Sequence, residues 1–84
     1  MTVDELIALR KRLGLTQAQM ADRIGLGLRA YTEIENGRSA LRGIHVAAAE
    51  RVSLAIAAER GDPMLAAPAA RRDALAVGEA LRNG

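Results

Sequence analysis

Gly14-Leu-Thr-Gln-Ala-Gln-Met-Ala-Asp-Arg-Ile-Gly-Leu-Gly-Leu-Arg-Ala-Tyr-Thr-Glu-Ile-Glu-Asn-Gly-Arg38 is the stretch of this 84-residue chain whose reading decides the fold. Thr16 followed three residues later by Gln19 is a capping-box start. Met20, Ala21 and Ile24 then make an inward face, and Gly25 stops the segment, so a helix is expected over Gln17–Ile24. A second helix is expected over Leu28–Glu35, closed by Asn36-Gly37, with Ala30, Tyr31 and Ile34 clustered on one side. Steps of 100° per residue put Leu28, Arg29, Thr32 and Glu33 on the opposite side. Two short helices joined by a tight turn, the second with a largely polar outer face, hold that helix clear of the core. It is then free to enter the major groove of duplex DNA.

Working outward, Thr2 and Glu5 repeat the capping box, and Leu6, Leu9, Arg10 and Leu13 fall on one helical face ahead of Gly14. A first helix is expected over Val3–Leu13. Arg10 lies on the apolar stripe, where a charge needs a partner or a route to solvent. Ser39–Gly43 reads as a loop. An Ala-rich helix is expected over Ile44–Arg60, with Val46, Ala49, Val52 and Ile56 facing inward. Leu54 and the alanines give it a second apolar side, the mark of a helix packed on two sides. Gly61-Asp62-Pro63 breaks the chain. Pro68 can open a fifth helix to about Leu81, with Ala74, Val77, Gly78 and Leu81 on one face. The fold class is all-α, a compact domain of four to five helices.

Composition narrows the partners. The net charge is +2, but residues 10–42 carry seven basic and three acidic side chains, whereas residues 46–84 carry five of each. A basic first half is the footprint of a polyanion binder, although solvated surface charge gives the same count. Tyr31 is the single aromatic residue. Single-stranded nucleic acid is usually held by aromatic stacking, so duplex DNA is favoured. No cysteine and one histidine, His45, leave no zinc cluster, and no metal or cofactor is expected. The longest apolar run, Leu54–Ala58, is far too short to span a bilayer, and no basic-then-apolar leader opens the chain. A soluble cytoplasmic protein without a membrane partner is the expectation.

Residues 3–60 resemble the lambda-repressor-like helix-turn-helix family, also called the Xre family. The marks are Gly14-Leu15-Thr16-Gln17, Ala21, Gly25 and Ile34-Glu35-Asn36-Gly37-Arg38 at their mutual spacing. The resemblance implies that the second helix straddles the DNA backbone while the third enters the major groove. It makes Gln17 a phosphate contact beside the helix N-terminus. It pairs Arg10 with Glu35 as a structural ion pair that reads no base. By position it makes Leu28, Arg29, Thr32 and Glu33 the base-reading candidates. Arg29 suits guanine O6 and N7; Glu33 either accepts from cytosine N4 or pairs with Arg29 four residues away; Leu28 either touches a thymine methyl or is a neutral exposed leucine; Thr32 suits a phosphate or water contact. Arg38 and Arg42 are phosphate candidates, with plain surface charge as the other reading. Gly27 stands where the family commonly places a Ser or Thr cap, and Leu28 where a polar reader is common.

Residues 1–60 are then the DNA-binding domain and residues 61–84 a helical extension suited to dimerisation. The functional expectation is a sequence-specific transcriptional regulator, by default a repressor, acting on duplex DNA as a homodimer. The alternative is a protein-interaction module on the same fold, antitoxin-like or anti-activator, gripping a protein partner. No catalytic function is expected. His45 has no nucleophile or carboxylate at catalytic spacing, and Gly25-Leu-Gly27 lacks the preceding strand and following Lys of a phosphate cradle.

Overall fold

The computed structural model describes residues 1–84 as five α-helices and one 3-10 turn, without strands. In chain order these are α1 (Val3–Arg12), α2 (Gln17–Ile24), α3 (Leu28–Glu35), α4 (Gly43–Arg60), the turn Pro63–Leu65, and α5 (Pro68–Asn83). α1 and α2 begin with the same device. The Thr2 and Thr16 hydroxyls accept the backbone N–H of Glu5 and Gln19, whose side chains in turn accept the backbone N–H of the two threonines. α1 ends one residue earlier than its apolar period suggests. Leu13 is the cap, and Gly14 adopts φ 72°, a left-handed conformation glycine takes without a steric penalty. The Gly14 and Leu15 amides then reach back to the Lys11 and Arg10 carbonyls, satisfying acceptors the helix end would orphan.

The core is small and drawn from four helices. Leu6, Leu9 and Leu13 of α1 and its cap meet Met20 and Ala21 of α2, Tyr31 and Ile34 of α3, and Ala49, Val52 and Ile56 of α4. Leu15, Ile24, Leu26, Leu41 and Leu65 close its margins. Ala30 corrects the expected inward cluster on α3: it is exposed, and only Tyr31 and Ile34 are buried on that helix. One helical step from Tyr31 carries Ala30 to the edge of the stripe, and a methyl group there is too small to draw the helix over.

A buried polar network fixes how α1, α2 and α3 meet. The Glu35 carboxylate accepts from Arg10 Nε at 2.8 Å, Arg10 Nη2 at 3.1 Å, Gln17 Nε2 at 2.9 Å and the Tyr31 hydroxyl. Arg10 Nη1 donates to the Leu15 carbonyl at 3.0 Å. The Arg10 and Glu35 side chains are 12% and 4% exposed. Arg10 thus occupies its apolar stripe with every charge matched, and no buried side-chain polar atom of the protein lacks a partner. Burial works against the Glu35 charge, but the bonds from Arg10, Tyr31 and Gln17 outweigh it. They hold the carboxyl below its ordinary value of 4.5. The bond to Glu35 raises Arg10 in return, against its own desolvation. Burial, reinforced by the neighbouring carboxylate, pushes the Tyr31 phenol well up.

The base of α5 is pinned while its length is not. Ser53, fully buried on α4, accepts the Ala67 N–H at 2.8 Å and donates to the Glu50 carbonyl at 2.7 Å. Asp62 caps the 3-10 turn, and Ala66 and Ala67 are buried. Beyond them no residue of α5 is buried. Val77 and Leu81 of the expected apolar face are 60% and 78% exposed and line an open groove that α5 shares with Ala47 and Leu54 of α4. No helix of the protein is long and apolar enough to cross a membrane.

Two outcomes follow for stability. Folded Glu35 gives up its proton more readily than unfolded Glu35. Its contribution is therefore complete above about pH 4.5 and fades as pH falls below that value. Glu35→Gln is expected to cost about 3 kcal/mol at neutral pH and progressively less in acid, read by urea denaturation across pH. A pH-independent difference would contradict the assignment. Tyr31→Phe, which removes one bond to a charged group, is expected to cost about 1.5 kcal/mol in the same assay.

Candidate nucleic-acid interface

The turn between α2 and α3 is closed by Gly25 at φ 81°, from which the Gly25 and Leu26 amides return to the Asp22 and Ala21 carbonyls. Leu26 packs against the core, so the chain re-emerges at Gly27 already aimed to begin α3. Gly27 has extended backbone (φ −65°, ψ 151°) and supplies no side-chain cap. Tyr31 and Ile34 anchor the inner side of α3 and Glu35 its end, so the remaining side faces outward.

On that side Leu28 is half exposed and the Arg29 side chain is 93% exposed. Thr32 and Glu33 are half-buried. The Thr32 hydroxyl donates to the Arg29 carbonyl one turn back, at 3.0 Å. Arg29 Nε lies 3.6 Å from Glu33 Oε1, the i,i+4 pairing weighed from the sequence. The structure therefore brings Leu28, Arg29, Thr32 and Glu33 onto one short outer face.

The loop after α3 is tied to it. The Arg38 and Ser39 amides both donate to the Glu33 carbonyl, at 2.9 and 3.2 Å, and the Ser39 hydroxyl donates to Glu33 Oε2 at 3.4 Å. This holds Arg38 next to the end of α3, with Arg42 exposed just before α4. Arg23, the remaining cation of the helical hairpin, is instead directed to Glu59 of α4 at 3.4 Å. Arg38 and Arg42, which have no carboxylate partner, thus lie just after α3, whose Arg29 is paired only within its own helix. Gln17 stands at the start of α2, but one N–H of its amide is committed to Glu35. What it has left to offer an anion is its second amide N–H and the uncapped backbone donors of the helix end.

Two residues have local roles that the sequence reading did not assign. His45 Nδ1 accepts the Arg42 backbone N–H at 3.1 Å, which closes the start of α4 and puts the neutral ring's proton on Nε2. Its place three residues after the cap, where Glu or Gln is usual, was the available clue. Ser39 gave none, because its partner lies six residues away across an irregular loop.

A family model described as helix-turn-helix matches residues 6–52, more than half the chain, from the first turns of α1 into the middle of α4. No curated protein and no solved structure matches it.

The N-terminus of α3 gives a direct test of local geometry. A Cβ at Gly27 meets nothing within 4 Å, and the backbone there suits any residue. Gly27→Ser is expected to raise stability by about 0.5 kcal/mol, through the missing cap and a stiffer unfolded chain. Gly25→Ala, at a left-handed position, is expected to lower it by about 1 kcal/mol. Urea denaturation distinguishes the two signs, and a loss at Gly27→Ser would mean that α3 begins differently.

Proposed function

The chain belongs to the lambda-repressor-like helix-turn-helix family of DNA-binding transcription regulators, and on that premise we propose that it binds a specific duplex operator as a homodimer and represses by occlusion. The observation that carries this reading is Arg29. It projects almost fully into solvent from the outer face of a helix whose inner side is locked into the core. Arg29 is the principal reader, presenting paired donors to guanine O6 and N7. Leu28 meets a thymine methyl, and Thr32 contacts phosphate or water. Arg38 and Arg42 hold the backbone on the loop side, and Gln17 with the N-terminal amides of α2 holds it on the other.

Residues 1–60 form the DNA-binding unit in this reading, and residues 61–84 pair two copies. What supports the pairing is the open apolar side of α5, with Val77 and Leu81 exposed beside a firmly held helix base. The C-terminal half is electrically balanced, so a second copy meets no net repulsion. Two copies place their α3 helices in successive major grooves about 34 Å apart. A second reading, capture of a protein partner by α3, is favoured by one observation, the half-exposed Leu28 at the head of the outer face.

Titration of labelled duplexes at several salt concentrations tests the proposal. Affinity is expected to fall linearly in log salt, with a slope of about 0.9 per phosphate neutralised. Arg38→Ala is expected to weaken all sequences alike and reduce the slope by about 1. Arg29→Ala should remove about 1–3 kcal/mol of discrimination at one base pair. Absence of duplex binding at low salt by the folded protein would favour the protein-partner reading. Leu81→Asp is expected to convert the dimer to a folded monomer in sedimentation. A variant that remains dimeric would place the interface elsewhere.

A further inference from the structure

We propose that Glu33 and Ser39 form a positioning arm for Arg29, fixing which edge of its guanidinium meets the DNA, and that Glu33 reads no base itself. The inference rests on the DNA-binding reading above and narrows it to one side-chain geometry.

A guanidinium has two edges able to make paired hydrogen bonds, Nε with one terminal nitrogen, or the two terminal nitrogens together. Glu33 Oε1 lies on the Nε side of Arg29. Its other carboxylate oxygen, Oε2, accepts from Ser39. The carboxylate is thus held between the arginine on one side and the loop hydroxyl on the other. Two loop amides bonded to the Glu33 carbonyl keep that loop in place. With the carboxylate facing the Nε side at 3.6 Å, the Nη1–Nη2 edge is the one left open to meet guanine O6 and N7.

Charge and exposure agree with this role. A carboxylate among Arg29, Arg38 and Arg42 opposes phosphate binding, so it weakens general affinity rather than adding to it. Ordering an arginine side chain 93% exposed on binding has an entropic cost that prior orientation reduces. Ser39 has no side-chain bond except the one to Glu33, and Glu33 has no side-chain partners except Arg29 and Ser39. The set of three is closed.

The test is selection of duplex sites by the full-length protein and its variants, followed by titration of the selected duplex and its single-base changes. Glu33→Gln is expected to relax preference at the same base pair that Arg29→Ala relaxes, by about three- to tenfold. It should also tighten binding to random-sequence DNA, because a negative charge is gone. Ser39→Ala, which leaves the charge unchanged, is expected to relax that same base pair by a smaller factor without tightening random binding. In the Arg29→Ala background, Glu33→Gln should cause no further loss of preference. Circular dichroism checks that each variant keeps its helices. If Glu33→Gln relaxed a different base pair from Arg29→Ala, Glu33 would be a direct reader and the proposal would be overturned. Unchanged preference in Glu33→Gln would overturn it equally. A parent protein that selects no duplex at all would overturn the underlying functional reading instead.

Discussion

The Glu35 carboxylate is where three helices are made to agree. It stands at the end of α3 and takes bonds from Arg10 on α1, Gln17 on α2 and Tyr31 on its own helix. A charge buried to this degree is tolerated only when its acceptor sites are filled and an opposite charge adjoins it. Loss of any donor leaves an unmet acceptor, so the three helices hold one mutual arrangement rather than a range. For an 84-residue domain whose total stability is of the order of 5–10 kcal/mol, such a network is a large share of the whole.

That constraint works with the apolar core rather than in place of it. Tyr31 shows the division most plainly. Its ring is fully buried among leucines, and its hydroxyl reaches the carboxylate. Apolar packing brings α3 against the scaffold, while the polar bonds fix its rotation about its own axis. The rotation matters most for binding, because it decides which residues are left outside. With Tyr31 and Ile34 inward and Glu35 tied down, Arg29 has nowhere to point but solvent. The loop that follows is drawn in by the Glu33 carbonyl, and this sets Arg38 beside the end of the same helix.

The parts of this structure legible in the sequence are those set by local chemistry. Thr2 with Glu5, Thr16 with Gln19, and the glycines that follow α1 and α2 mark helix ends through contacts spanning a few residues. The spacing of Leu6, Leu9 and Leu13 marks a buried stripe in the same way. Arg10 was legible only as an anomaly, and its partner 25 residues away had to be supplied by resemblance. The Gln17 bond to Glu35, the Ser39 bond to Glu33 and the Ser53 bond to Ala67 join residues that no periodicity relates. Ala30 was misplaced because alanine is indifferent to which side of the stripe edge it occupies. The open side of α5 was legible as an apolar pattern, but a pattern reports what can be covered and not whether the same chain covers it.

The claim that organises all of this is the energetic coupling between Arg10 and Glu35. A double-mutant cycle measures it most directly: Arg10→Ala, Glu35→Ala and the pair together, each followed by urea denaturation at neutral pH. The expected coupling is about 2–3 kcal/mol, so that the double variant loses clearly less than the two single losses added together. A coupling within a few tenths of zero, with the two losses simply adding, would mean that apolar packing alone sets the position of α3.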